Sequence, residues 1–331
     1  MKALVTGASG FVGHRLARLL TEEGAGVVAV VGPVQNELEA RRIEDLERHE
    51  IRIIKSDLRR DPPLAETPDP EDWDTLFHLA AYVRTEENSP DVRINDLGTA
   101  RLLRQLPVEN KRVVYTSTIA VGDNAPDGKV TAETPCDPRT TYGTTKLAAE
   151  ELVRTECHRR DAAHTIVRLP TIYGAGYRPG GMFDVLPRRL AAKDPLARVT
   201  WPGRLALLAV EDAATLLFRA AACEATEGRT FVASSNENPA TWEIAEAIAA
   251  ATAAPYRPLR LPKLGVRAGR AVLGPWWQAS ALPHWIQISA WRANLLLNGL
   301  YCDGGELLEL LGLTPQDWRQ GFHRMYAEDS R

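Results

Sequence analysis

Cysteine is scarce in this chain, charge is nearly balanced, and internal repeats are missing; each shortage closes off a class of protein. The four cysteines, Cys136, Cys157, Cys223 and Cys302, lie far apart with no Cys-x-x-Cys pair among them. Neither a zinc site nor a disulfide framework is expected, and a reducing cytoplasm fits. With 40 basic against 43 acidic residues and a formal net charge of −3, there is no electrostatic footprint for nucleic acid and no polybasic membrane patch. The expected partner is a small molecule. No signal peptide is read, because Met1-Lys2 runs straight into an apolar strand and a glycine-rich turn. Residues 271–291 carry no formal charge and include Trp276, Trp277, Trp285 and Trp291. The run is long enough to span a membrane, but Pro275, Gln278, Pro283, His284 and Gln287 interrupt it. A cap over an active site is expected in preference to a membrane-surface helix; an ordinary packed lobe is the plainer alternative.

What is present is an alternation of strand and helix signals. Ala3-Leu4-Val5 reads as a buried strand, and Thr6-Gly7-Ala8-Ser9-Gly10-Phe11-Val12-Gly13 leads from it into a helical pattern. Such a turn lets backbone N–H groups approach a pyrophosphate at the positive end of the helix. A dinucleotide is therefore expected. The second strand, 27–31, ends in Gly32-Pro33-Val34-Gln35, without the Asp or Glu that reads the adenosine ribose of NAD. With no carboxylate to repel a 2′-phosphate and Arg41-Arg42 close downstream, the cofactor is NADP or NAD, leaning to NADP. A third strand, 51–54, ends at Ser56-Asp57-Leu58, where Asp57 is placed to accept from the adenine amino group or simply to form a surface turn. A fourth, 75–78, ends in His78 and the small residues Leu79-Ala80-Ala81. Ligands bind at such carboxyl ends, and His78 reads as a packing residue rather than a catalyst.

A helix is expected over 92–106, with Gly98 marking close packing. The fifth strand, 112–115, ends in Thr116-Ser117-Thr118, and strands at 165–168 and 229–233 follow. This rhythm predicts an α/β fold with a doubly wound parallel sheet. Thr140-Thr-Tyr142-Gly-Thr-Thr-Lys146 opens another helix. Residues i and i+4 lie about 5–6 Å apart at Cβ, so the Lys146 cation would lower the Tyr142 phenol from about 10 and make it a proton shuttle. The Thr116–Thr118 hydroxyls would polarise a carbonyl beside it.

Together these motifs resemble the extended short-chain dehydrogenase/reductase, or NAD-dependent epimerase/dehydratase, family. The resemblance runs through Thr6-Gly-x-x-Gly-x-x-Gly13, Asp57, Leu79-Ala-Ala81, Asn95 with Gly98-Thr99, Thr116-Ser-Thr118, Tyr142-x-x-x-Lys146, Arg168-x-Pro170 with Tyr173-Gly174, and Val210-Glu-Asp212. It implies a Rossmann-type sheet from 1–170 plus 204–235, and a smaller, mainly helical substrate lobe from 171–203 plus 236–331. It also implies Tyr142 as general acid/base and Lys146 on the nicotinamide ribose. The assisting hydroxyl is Thr118 counting from the strand, or Ser117 counting back from Gly122, with the strand count preferred. The cofactor would touch Gly7, Ser9, Gly10, Phe11, Val12, Gly13, Asp57, Leu58, Leu79, Ala80, Ala81, Thr116, Pro170 and Ile172. Within the family, the 3β-hydroxysteroid dehydrogenase and dihydroflavonol reductase branch is most similar, implying hydride transfer to or from a secondary alcohol or ketone of a fairly apolar molecule. A nucleotide-sugar epimerase or dehydratase holding a diphosphate with Arg188, Arg189, Arg204, Arg257 or Arg260 is the rival, and a non-catalytic dinucleotide-binding regulator the remote one. A homodimer paired through helices 92–106 and 142–158 is expected.

Overall fold

In the computed structural model, residues 1–83, 89–123, 125, 127–235, 237–277 and 284–328 are described. Seven parallel strands form the central sheet, in the order Arg229–Val232, Ala163–Leu169, Arg112–Thr118, Thr75–His78, Lys2–Thr6, Gly26–Val31, Arg52–Lys55. Their Val-, Ile- and Leu-rich runs are buried on both faces, as a helix-covered parallel sheet demands. On one face Leu16, Ala17 and Leu20 of helix Phe11–Glu22 meet Leu216 and Leu217 of helix Val210–Ala222. On the other, Leu102 and Leu103 of helix Leu97–Gln105 and Ala149 and Val153 of helix Thr141–Arg159 cover Val113, Tyr115 and Ile166. The chain winds one way from Lys2–Thr6 and then returns to its other side at Thr75–His78. That reversal opens a crevice at the carboxyl ends of these two strands.

The expected helix over 92–106 is divided into a 3-10 turn, Pro90–Ile94, and the helix Leu97–Gln105. Between them the Asn95 amide accepts from Tyr82 N at 2.8 Å and donates to Tyr82 O at 3.2 Å and Thr145 Oγ1 at 3.1 Å. Asn95 thus ties the loop after Thr75–His78 to helix Thr141–Arg159. Gly98 is there for proximity, since a Cβ on it would lie 2.8 Å from Leu58 Cβ.

A separate apolar cluster, including Tyr173, Phe183, Ile244, Ile248, Trp318 and Phe322, centres the smaller lobe. The chain returns from it through Gly305–Leu311, whose Leu307 and Leu308 join the core of the sheet. Within 271–291, Lys263–Trp277 and His284–Leu297 are helical. The expected cap lies largely outside the described residues: this holds for positions 278–283 and for the side chains of Trp276, Trp277, Trp285 and Trp291. Among the described residues no helix is long and apolar enough to cross a membrane.

Candidate active site

Each glycine of the first turn has its own steric reason. Gly7 has φ +69°, and a Cβ on it would stand 2.8 Å from Ala80 N. A Cβ on Gly10 or Gly13 would lie 2.9 or 2.1 Å from Gly7 O. The turn therefore closes tightly and lets helix Phe11–Glu22 begin directly against it, with Gly10 as an N-cap that makes no side-chain cap bond. The first-turn N–H groups of that helix suit an anion. These features fit the pyrophosphate of a dinucleotide.

A hydrogen-bond chain holds the far wall of the crevice. Leu79 N and Ala80 N both donate to Thr6 Oγ1 at 3.2 Å, and Thr6 Oγ1 lies 2.7 Å from His78 Nδ1. His78 Nε2 is 2.8 Å from Thr99 Oγ1, which donates to Asn95 O at 2.6 Å. Because the Thr99 proton is committed to Asn95, Nε2 is the donor in its pair and Nδ1 accepts from Thr6. Burial pushes His78 down to about 3. It is a neutral packing residue that braces the turn.

Beyond strand Arg52–Lys55, the Asp57 carboxylate accepts from Arg59 N at 3.1 Å and from Arg59 Nε at 2.8 Å, and Arg59 holds it below the ordinary carboxylate range. Leu58 is buried beside Gly98. The arginines behind the NADP preference are engaged elsewhere. Arg41 pairs with Glu37, whereas Arg42 turns inward, donating to Ser9 O at 3.3 Å and Gly176 O at 2.6 Å with its guanidinium 5.6 Å from the Phe11 ring centre. The group folded back onto the strand tip is Glu39, which accepts from Gln35 N at 2.8 Å and Asn36 Nδ2 at 3.1 Å. Its carboxylate comes from the first turn of the following helix, where Glu39 N in turn donates to the capping Asn36 Oδ1 at 3.0 Å, a local arrangement within four residues of the tip.

Thr140 caps the helix Thr141–Arg159 by accepting from Gly143 N at 3.1 Å. Tyr142 stands in its first turn and Lys146 one turn later. A Cβ on Gly143 would lie 2.7 Å from Ala120 O, so this helix presses on the turn Ile119–Gly122 that follows Thr118. Thr118 Oγ1 accepts from Ala120 N at 3.2 Å, which leaves its proton for the Tyr142 phenol, its hydrogen-bond partner. Ser117, in step with Val113 and Tyr115, points into the layer beneath helix Thr141–Arg159. Its buried Oγ has no hydrogen-bond partner among the described residues, although it faces the Glu150 carboxylate and helps to hold it low. Thr118 is thus the hydroxyl that meets the phenol.

The electrostatics differ from the sequence expectation. Burial pushes Tyr142 up to about 12, opposed by the Thr118 bond and the charge of Arg178. Lys146, almost fully buried, donates to Thr116 O at 2.5 Å and lies 4.2 Å from the Tyr115 ring centre. Burial lowers it to about 7, opposed by Glu150. Lys146 is therefore not what moves the phenol; desolvation is the largest influence on it. Glu150 itself is held below its usual range, against burial, by Arg168 at 2.9 Å and Arg154 at 2.8 Å.

Arg178 was not read from the sequence. Its loop is anchored on both sides, by Arg42 on Gly176 O and by Tyr177, whose ring lies 5.9 Å from Phe11 and 5.1 Å from Phe183. Arg178 is exposed and makes no ion pair among the described residues. Only the fold brings its charge towards Tyr142. Pro170 and Ile172 are half-buried where the chain passes from Ala163–Leu169 to Thr171–Tyr173. Of the arginines considered for a diphosphate, Arg188 pairs with Asp184 and Arg189 with Asp194. Arg257 and Arg260 are exposed, and Arg204 lines a hollow of about 310 Å³ with Arg270, Asn298 and Tyr301. A larger cleft of about 790 Å³ lies behind the glycine turn, between Arg42, Tyr173 and Arg324, and meets the expected cofactor residues only at Phe11. Among the described residues no cluster capable of holding a metal occurs.

Residues 3–233 match the NAD dependent epimerase/dehydratase family. The chain belongs to that family. Its relatives are of two kinds, dehydrogenases and sugar-nucleotide epimerases. It is 31% identical over 192 residues to D-erythronate dehydrogenase of Haemophilus influenzae, covering 54% of this chain and 56% of that protein. It is 29% identical over 301 residues to UDP-glucose 4-epimerase of Mycolicibacterium smegmatis, covering 84% of this chain and 93% of that protein. The chain thus spans little more than half the length of the erythronate dehydrogenases it matches. The fold is shared over 100% of the chain with UDP-glucuronic acid 4-epimerase of Bacillus cereus, solved with UDP-glucuronic acid and NAD, at a TM-score of 0.74 and 21% identity with 99% of that chain covered.

Proposed function

We propose that this family member is a dehydrogenase that moves hydride between NAD and the secondary carbinol or ketone carbon of a small molecule bearing a negative charge beside that carbon. The observation that carries this reading is the Tyr142 phenol bonded to Thr118, with Lys146 one turn further along the same helix. NAD, when bound, supplies the hydride acceptor or donor. Tyr142 takes the hydroxyl proton as the carbonyl forms and returns it in the reverse direction. Thr118 holds the same oxygen through its proton, while Ala120 N fixes the hydroxyl's orientation. Lys146 is the group to meet the nicotinamide ribose. The charge of Arg178, directed towards the phenol, supports an anionic substrate over the fairly apolar one implied by the resemblance. The relatives named for erythronate and glucuronic acid also take anionic substrates by name. Glu39 at the strand tip supports NAD over NADP, because a carboxylate repels a 2′-phosphate.

A second reading, nucleotide-sugar epimerase, is favoured by the near-complete alignment with the Mycolicibacterium smegmatis enzyme. One experiment separates the two. The protein is titrated with NAD and NADP, followed by reduced-nicotinamide fluorescence, and then offered a panel of hydroxy acids and UDP-sugars. Net nicotinamide reduction on a hydroxy acid supports the dehydrogenase. Sugar interconversion without net reduction supports the epimerase, and failure of both nucleotides to bind sinks both readings.

Two variants test the site on a verified hydroxy acid. Arg178→Gln is expected to raise KM by about tenfold or more, the worth of one charge-assisted hydrogen bond, while leaving a neutral diol analogue unaffected. An equal effect on both would remove Arg178 from substrate recognition. Thr118→Ala is expected to lower kcat, with Ser117→Ala nearly neutral; the reverse order would reinstate Ser117.

A further inference from the structure

The small overall charge hides a segregation. Residues 247–302 contain no Asp or Glu, whereas Arg257, Arg260, Lys263, Arg267, Arg270 and Arg292 supply six cations; all 43 acids of the chain lie elsewhere. Arg257, Arg260, Lys263 and Arg267 are exposed, and among the described residues none of the four forms an ion pair. Large exposed apolar side chains gather at the same place. Of eight among the described residues, Leu264 at 79%, Leu196 at 60% and Leu259 at 41% belong to this strip.

Backbone pairing makes the strip continuous. Leu259 N donates to Arg198 O at 2.7 Å, Thr200 N to Leu259 O at 2.9 Å, and Arg198 Nε to Arg257 O at 2.8 Å. Residues 198–200 therefore run beside 257–261, with Leu196 in the helical turn Pro195–Arg198 just before them, and helix Lys263–Trp277 begins directly after 261. Arg270 Nη2 donates to Leu297 O at 2.7 Å, tying that helix to His284–Leu297. At 15 residues the first helix is about 22 Å long, short of a hydrocarbon core of about 30 Å.

We propose that this strip docks the enzyme on an anionic lipid surface, with the leucines entering the headgroup boundary and the cations meeting lipid charge. A phosphodiester chain would use the cations and leave the leucines in water; a bilayer interface takes both. Among the described residues no helix is long and apolar enough to cross a membrane, and the docking proposed is at its surface. The polybasic patch that the net charge argued against is thus a local one. The docking is independent of the hydride-transfer reading.

The test is co-sedimentation of the full chain with vesicles of phosphatidylcholine alone or with about one-third phosphatidylserine. Partition onto the anionic vesicles is expected to be at least about tenfold stronger and to fall as salt rises. Lys263→Glu with Arg267→Glu should remove most of it, and Leu264→Ser should weaken it even at low salt, with NAD binding retained as the control for folding. Equal partition onto both vesicles, no partition onto either, or indifference to these substitutions would overturn the proposal. So would a dimer in sedimentation equilibrium that the double substitution dissociates while vesicle binding stays unchanged, because the strip would then belong to a second copy.

Discussion

Tyr142→Phe is expected to lower turnover by at least the 10²–10⁴-fold that general acid–base catalysis typically contributes, with NAD binding nearly intact. The substitution removes one oxygen and leaves the ring, so the packing in the first turn of Thr141–Arg159 survives. Thr118 would still hold the substrate oxygen but could not replace the phenol as the base, because an aliphatic hydroxyl is a far weaker acid than a phenol and so is far less readily ionised to act as one. With the phenol pushed up to about 12 in the free protein, most molecules carry the proton at neutral pH. Oxidation needs the phenolate, so its kcat/KM should climb with pH through the neutral and alkaline range, while reduction, which uses the protonated phenol, stays flat there. Initial rates in both directions across pH check this. A Phe variant that kept the parent's rate and rising limb would place the base elsewhere.

Lys146→Met is expected to abolish most turnover, weaken nucleotide binding and yet stabilise the fold below neutral pH. The buried ammonium titrates at about 7, against 10.5 for a free lysine. Between those values the unfolded chain binds a proton that the folded chain has released, so stability of the parent rises with pH through that window. Below about 7 both states are protonated and the desolvation penalty is present in full. Methionine fills the space without that penalty, which is worth a few kcal/mol at most. The gain is reduced by the bond to Thr116 O that the variant gives up. Urea unfolding at pH 6 should therefore show the variant more stable than the parent, and the difference should vanish near pH 10. A variant less stable at pH 6 would mean that the Thr116 and Tyr115 contacts outweigh desolvation. Lys146 would then be a structural residue as much as a functional one.

The parts of this protein legible from sequence are those set by near neighbours. Apolar runs alternating with helical patterns determined the parallel sheet, because each strand needs a covering helix before the next can pair. The glycine spacing determined the turn, since backbone at φ +69° and a helix packed on Gly7 O admit no side chain. Thr140, Tyr142 and Lys146 lie within two turns of one helix, so their grouping needed no tertiary information.

Everything that depended on which distant group arrives, and on how much water is removed, was decided by the tertiary structure. Strand counting favoured Thr118, and it is the close approach of Gly143 to Ala120 O that sets the phenol beside it, while Ser117 lies under the same helix towards Glu150. Arg178 comes from the loop after Thr171–Tyr173, and Arg42 is drawn inward by Ser9 and Gly176. Spacing along the helix put Lys146 beside Tyr142 and so argued for a lowered phenol. Burial shifted both groups the other way, because removing a charge from water is a property of the assembled site and not of any pair of positions.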